Sequence, residues 1–162
     1  MLQVDPVRAI SFPVFCMFLL MASVQAKTID GIYNTGASQE EDGPSGTLDV
    51  EFHPCADDEE RSCGTIVRVN NPTPNSGDTL PDGSPIIGFT MITGLKDKGD
   101  GEYRGGKINA IDESLSKDEM IWYGVKIDQE DEQLKVKGCL GFICPKTMYW
   151  KKVNPVVEAA GE

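Results

Sequence analysis

Alternation of apolar and polar residues with a period of two is the feature of this sequence that most restricts its fold. In residues 46–53 (GTLDVEFH) and again in residues 133–138 (QLKVKG), every second residue is apolar. Successive side chains of a β-strand point to opposite faces of its sheet, so each segment predicts a strand with one buried face. The sequence therefore favours an all-β fold over a helical one.

Turn sequences rich in glycine, proline and aspartate separate the β-rich segments, and no stretch after residue 26 has a convincing helical period. Many short strands joined by tight turns indicate an antiparallel sandwich or a closed barrel. We count about eight strands, at 29–35, 46–53, 64–69, 86–95, 102–111, 120–128, 133–138 and 147–153.

One of these segments, 86–95, is apolar on both faces. Strict alternation places Ile87, Phe89, Met91 and Leu95 on one face. It places Ile86 and Ile92 on the other. Such a strand is expected in a sandwich, or in a barrel whose outer wall is partly covered.

The first 26 residues have the pattern of a secretory signal peptide. Arg8 precedes the apolar run 9–22, and Val24 and Ala26 are small residues at the positions that a signal peptidase recognises. The apolar run is too short for a permanent membrane span of about 30 Å. We expect cleavage after Ala26, a single mature domain at 27–153, a flexible tail at 154–162 and a periplasmic or secreted protein.

Cysteine usage agrees with export. Cys16 would leave with the signal peptide, and the four remaining cysteines can form two disulfides in three pairings. Their spacing matches no zinc ribbon or knuckle. We predict the pairs Cys55–Cys63 and Cys139–Cys144, because the members of each pair are close in sequence and lie at strand ends or a turn.

The formal net charge of −11 restricts the partners. Binding to nucleic acid relies on lysine and arginine contacts to phosphates, and docking on an anionic membrane surface also needs basic residues. The sequence thus predicts a soluble protein without nucleic-acid partners or a stable membrane anchor.

Ordered short motifs across nearly all of residues 27–153 resemble the bacterial family called domain of unknown function 2147. The matching motifs include residues 31–33 (GIY), 53–55 (HPC), 85–88, 91–95, 105–108 (GGKI), 134–141 and 148–150. The resemblance implies a small lipocalin-like, up-and-down β-barrel of about eight strands from exported proteins of Gram-negative bacteria. Tyr33 stands where the family usually has tryptophan, and residues 109–113 depart from the family's usual turn.

Residues suited to catalysis are scarce. Histidine is the commonest proton carrier near neutral pH, and His53, the one histidine, lies on the polar face of its strand. The acidic run 57–60 (DDEE) offers oxygen atoms for calcium but lacks a calcium-loop pattern, so a solvated turn is favoured. We therefore expect no enzyme activity, no metal site and no cofactor.

A binding protein is the leading hypothesis. Small eight-stranded barrels either fill their interior with side chains or hold one ligand there. We expect a small apolar ligand inside or at the mouth of the barrel, near the loop 70–85, with Phe89, Trp122, Tyr149 and Trp150 as candidate contacts. The alternative is an envelope interaction or structural protein with a filled core that acts through its surface.

Overall fold

The computed structural model describes residues 27–36, 46–70, 79–80, 82–109 and 120–153. Hydrogen-bonded antiparallel pairs join all neighbouring strands within these ranges. The strands are β1 (Gly31–Asn34), β2 (Thr47–Pro54), β3 (Arg61–Asn70), β4 (Thr90–Asp97), β5 (Glu102–Asn109), β6 (Trp122–Glu130), β7 (Gln133–Leu140) and β8 (Ile143–Val153).

The eight strands follow one another around a closed barrel in sequence order. The barrel closes where β1 pairs with β8, so that Tyr33 lies opposite Lys152. This closure confirms the predicted all-β, up-and-down barrel and rules out the sandwich. Within the described residues, no helix has the length and apolar character needed to cross a membrane.

The strand predicted at 86–95 is shorter than expected. Residues 86–89 form turns, and β4 begins only at Thr90. The predicted division of its faces was wrong as well, because Leu95 lies opposite Ser62 while Ile92 lies opposite Gly64, and these two partners share one face of β3. Gly94, at φ 72°, marks the irregularity that brings Leu95 to the face of Ile92.

The connections divide the barrel into two unlike ends. At one end, here called the floor, the turns 55–60, 98–101 and 131–132 are short. The other end is here called the loop end: a two-residue turn joins β7 to β8 there, and the connections of β1 to β2, β3 to β4 and β5 to β6 are longer. In an up-and-down barrel, alternate connections must lie at opposite ends.

Large aromatic side chains fill the interior near the floor. Tyr33, Phe52, Tyr103 and Trp150 each retain at most 2% of their accessible surface. The rings of Tyr33 and Phe52 meet edge to face with centroids 5.8 Å apart, and Phe52 contacts Trp150 at 6.3 Å. Tyr33, which replaces the tryptophan expected from the family resemblance, is thus completely buried in the core.

The segment before β1 covers the floor. Ile29 is buried in the core, and its backbone N–H donates to Ser62 Oγ at 2.9 Å. The backbone nitrogen of Lys27 donates to Asp97 Oδ2 at 3.0 Å. Ser62 lies near the start of β3 and Asp97 ends β4, so this segment reaches across the barrel from its first strand.

Both predicted disulfides are present. Cys55–Cys63 joins β3 to the turn after β2, and its Cα atoms are 5.0 Å apart. Cys139–Cys144 links β7 to β8 beside their turn, with Cα atoms 3.9 Å apart. One disulfide therefore stabilises each end of the barrel. The predicted signal peptide at 1–26 and tail at 154–162 lie outside the described residues.

Candidate functional site at the loop end

The inner wall near the loop end carries apolar side chains that are only half-buried. Leu48 and Val69 lie opposite each other on β2 and β3, and Met148 lies opposite the buried Val136 on β7. Tyr123 lies opposite Ile108, another buried core residue. Directly paired residues share a face of the sheet, so these four half-buried side chains belong to the interior. We call Leu48, Val69, Tyr123 and Met148 the upper ring.

Below the upper ring, the interior is tightly packed. A Cβ atom added to Gly64 would approach Val50 Cγ1 to 3.0 Å and Ile92 Cβ to 3.3 Å. A Cβ atom added to Gly106 would lie only 2.7 Å from Leu95 Cγ. These glycines leave no spare volume on their inward sides. A molecule entering from the loop end would meet this packed layer beneath the upper ring.

Two of the aromatic residues singled out from the sequence lie together at the rim. The rings of Phe89 and Trp122 have centroids 6.2 Å apart, and Trp122 is 40% exposed. Trp122 lies opposite Asn109, so it points away from the face that carries Tyr123. Asn109 is buried, and its Nδ2 atom has no hydrogen-bond partner in the described part of the chain.

The other two aromatic residues lie elsewhere. Trp150 is buried near the floor, opposite Leu134, and its Nε1 has no hydrogen-bond partner among the described residues. Tyr149 is half-exposed on the outer wall, where the Lys135 Nζ lies 5.7 Å from the centre of its ring. The structure thus brings together Phe89 and Trp122, and separates them from Trp150 and Tyr149.

None of the four upper-ring residues was among those selected for binding from the sequence. They are Leu48, Val69, Tyr123 and Met148. The alternation of 46–53 does place Leu48 on an inward face. The others needed the register between strands, because only paired partners show which face is inward. Aromatic character alone was a weaker signal than the position of a residue along its strand.

Burial, nearby acidic groups and backbone hydrogen bonds shift the pKa values of the ionisable groups near the floor. Burial, followed by the negative charge of Asp97, raises the pKa of Tyr103 to about 12. Burial also raises the pKa of Tyr33, with further increases from Glu132 and Asp30. Both phenols therefore stay protonated at neutral pH. Backbone N–H groups of Gly99 and Lys27 lower the pKa of Asp97 by hydrogen-bonding its carboxylate.

An ion-pair network lies on the outer wall of β5, β6 and β7. Asp128 contacts the Arg104 guanidinium at 2.6 Å and the Lys137 ammonium at 2.8 Å. Desolvation by itself raises the pKa of Asp128, but hydrogen bonds from Lys137 and Arg104 outweigh it and leave the pKa lowered. Arg104 also pairs with Glu102 at 3.1 Å. This network joins neighbouring strands and faces away from the upper ring.

His53 lies in a hydrogen-bonded chain on the outer wall. Its Nδ1 is 2.8 Å from the carbonyl oxygen of Pro54, and its Nε2 is 2.8 Å from Thr65 Oγ1. The Pro54 oxygen can only accept, so Nδ1 carries a proton. Thr65 Oγ1 is in turn 3.0 Å from Thr90 Oγ1. These contacts tie β2, β3 and β4 together.

The acidic turn 57–60 contributes to local structure through Asp58. Its carboxylate accepts a 2.8 Å hydrogen bond from the Arg61 Nε within an ion pair. Across the described ranges, no group of three or more histidine, cysteine, aspartate or glutamate side chains is arranged to hold a metal ion.

The family assignment follows from the sequence and agrees with this barrel. Residues 36–152 match the family model described as an uncharacterized protein conserved in bacteria (DUF2147). The chain belongs to this family. The resemblance noted from the individual motifs is thereby confirmed.

A solved structure supports the fold. It is described as protein HP1028 from the human pathogen Helicobacter pylori, belonging to the lipocalin family. The two proteins are 20% identical, and their structures align with a TM-score of 0.54 over 78% of this chain and 83% of that chain. The similarity shows a lipocalin-like barrel. No curated protein sequence is significantly similar to the chain.

Proposed function

We propose that this protein binds a small, mainly apolar molecule at the loop end of its barrel and works outside the cytoplasm. The observation that carries the proposal is the contrast in burial along the inner wall. Side chains near the floor are fully buried, whereas the upper ring packs on the core and still remains half accessible. Accessible apolar side chains on a concave wall are typical of ligand sites.

The depth of the site follows from the packing below the ring. The contacts around Gly64 and Gly106 fill the interior at mid-height, so the ligand rests on the upper ring. Phe89, which also packs against the core, lies at the same end of the barrel, and the ring of Trp122 contacts it. Affinity arises from burial of apolar surface, at about 25 cal/mol per Å² before the costs of immobilisation.

The disulfides, and not the proposed binding site, support a location outside the cytoplasm. The barrel carries two disulfides. Structural disulfides persist in oxidising compartments such as the periplasm and are rare in the bacterial cytoplasm. The bacterial family and the secretory pattern of residues 1–26 agree with a periplasmic or secreted protein.

The two tryptophans allow the proposal to be tested by fluorescence, because one lies at each end of the barrel. A chain beginning at Lys27 is titrated with a fluorescent fatty acid while tryptophan emission is followed. We expect saturable binding. The change in tryptophan emission should survive Trp150→Phe and disappear in Trp122→Phe, because Trp122 lies at the loop end in contact with Phe89, whereas Trp150 is buried near the floor.

Neighbouring residues on β8 provide a matched pair of variants. Met148→Gln places a polar group in the upper ring and should weaken probe binding about fivefold or more. Tyr149→Ala removes an exposed side chain from the outer wall and should leave binding unchanged. Absence of saturable binding by the unaltered chain would refute the proposal. A response that depends on Trp150 instead would move the site to the floor.

A further inference from the structure

The segment before β1 is held over the floor at two points that a single residue separates. Ile29 is 1% exposed, and its backbone N–H donates to the buried Ser62 Oγ at 2.9 Å. The backbone nitrogen of Lys27 donates to Asp97 Oδ2 at 3.0 Å. Burial of Ile29 therefore keeps the Lys27 nitrogen close to Asp97. We call residues 27–30 the floor strap.

The Asp97 carboxylate that receives the floor strap is itself held in one orientation. Its Oδ1 accepts a 2.8 Å hydrogen bond from the Gly99 N–H, which leaves Oδ2 for the Lys27 nitrogen. These backbone hydrogen bonds, from Gly99 first and then from Lys27, lower the pKa of Asp97 and keep it ionised at neutral pH. The turn after β4 thus presents a fixed negative charge where the floor strap begins.

The same Lys27 nitrogen is the atom that cleavage of the predicted signal peptide sets free. In the uncut chain it is an amide, so an uncharged donor meets the Asp97 carboxylate. Hydrolysis of the peptide bond between Ala26 and Lys27 consumes one water molecule, leaves a carboxylate on Ala26 and gives Lys27 an α-ammonium group. The pKa of an α-amino group is about 7.7–8.0, so most molecules carry this new positive charge at pH 7.

We propose that cleavage after Ala26 converts the contact between Lys27 and Asp97 into an ion pair that fastens the floor strap over the barrel. A hydrogen bond between two charged groups is stronger than one from a neutral donor. Exposed ion pairs usually stabilise little, because ordering both partners costs entropy. Here Gly99 already orders the carboxylate, and burial of Ile29 already orders the nitrogen. The mature chain therefore closes its floor more firmly than the uncut chain.

The inference rests on the predicted cleavage and not on ligand binding at the upper ring, and two chains test it. One chain begins at Lys27. The other begins at Ser23, so that the Lys27 nitrogen stays an amide and the terminal ammonium lies four residues earlier. Hydrogen exchange of the Ile29 N–H is followed by NMR at mildly acidic pH and low salt. We expect exchange about threefold slower in the chain beginning at Lys27, with a difference that shrinks as salt is raised.

Variants made in both chains identify the two charged partners. Asp97→Asn should abolish the difference between the chains, and its amide oxygen can still accept from the Gly99 N–H, so the turn is retained. Asp100→Asn removes the same charge from the same exposed turn and should leave the difference in place. Lys27→Gln removes the side-chain ammonium but keeps the α-ammonium, so it should also leave the difference in place.

Four results would contradict the ion pair at the floor strap. Equal exchange rates of the Ile29 N–H in the two chains would show that the α-ammonium adds nothing. A difference that persists in Asp97→Asn would exclude this carboxylate as its partner. Loss of the difference in Lys27→Gln would assign the effect to the side chain. N-terminal sequencing that finds the exported protein beginning at another residue would remove the α-ammonium from this position.

Discussion

The two ends of this barrel are built from similar residues but use them differently. At the floor, Trp150 is buried against Phe52 and the Lys27–Asp30 segment covers the strands. At the loop end, the ring of Trp122 contacts that of Phe89, and Trp122 remains 40% exposed. Trp150 therefore contributes to the stability of the fold, whereas Trp122 is accessible to other molecules.

This difference shows how a small barrel can combine a fully packed floor with accessible apolar side chains at its other end. The hydrophobic effect rewards complete burial, and the floor achieves it with aromatic side chains from several strands. The upper ring gives up part of that stabilisation, since its side chains are only half-buried. The lost burial can be recovered when a ligand covers them.

Replacement of each tryptophan by alanine is the most severe test of this contrast. Trp150→Ala should reduce the free energy of unfolding by about 3–5 kcal/mol, because it opens a cavity in the packed floor. Trp122→Ala should cost about 1 kcal/mol, because much of its side chain already contacts water. Urea unfolding of both variants measures the difference. Equal losses would show that the two ends are packed alike.

Removal of each disulfide also compares the two ends, with an intermediate expected loss in the free energy of unfolding. Replacing both cysteines of either pair with alanine should cost about 2–2.5 kcal/mol on the chain-entropy model, since both loops are short. Urea unfolding of the two double variants measures these losses. If removal of either pair left the free energy of unfolding unchanged, that end of the barrel would not be stabilised by its disulfide.

An effect confined to high pH is expected from the floor tyrosine. The folded-state pKa of Tyr103 is raised to about 12, against about 10 in an unfolded chain. A raised pKa gives a stabilising contribution that is complete below about pH 10 and is lost as the pH rises towards about 12. Stability should therefore fall less steeply over this range in Tyr103→Phe than in the unaltered protein.

Urea unfolding at several pH values checks the Tyr103 prediction, and absorbance of tyrosinate gives the folded pKa directly. Stability that declines with the same slope in both proteins would mean that Tyr103 is not shielded at the floor. At neutral pH, the phenol is protonated in both the folded and the unfolded state, so its ionisation does not change the stability with pH in that range.

Much of the fold could be predicted because the alternation of 46–53 and 133–138 is regular and the turns between strands are distinctive. The same rule failed at Leu95, because Gly94 interrupts the register and alternation counts residues without detecting a bulge. The rule also gave β8 a late start: the strand begins at Ile143, four residues before the predicted 147, because a two-residue turn follows β7 directly.

The candidate site was less accessible to sequence reasoning. Phe89 and Trp122 could be selected as aromatic residues of strands, but their contact depends on the way β4 and β6 flank β5. Trp150 and Tyr149 are adjacent in sequence, yet one lies at the floor and the other on the outer wall. Depth along a barrel depends on strand register, which composition and spacing do not reveal.

Because the first strand pairs with the last, the chain cannot finish folding until β8 is present. β8 is the last strand to be synthesised, and β1 has only β2 as a partner until β8 arrives. The most distant contact in the sequence is thus also the one that completes the barrel, and such contacts form slowly. An incomplete chain therefore cannot close the barrel before its last strand is present.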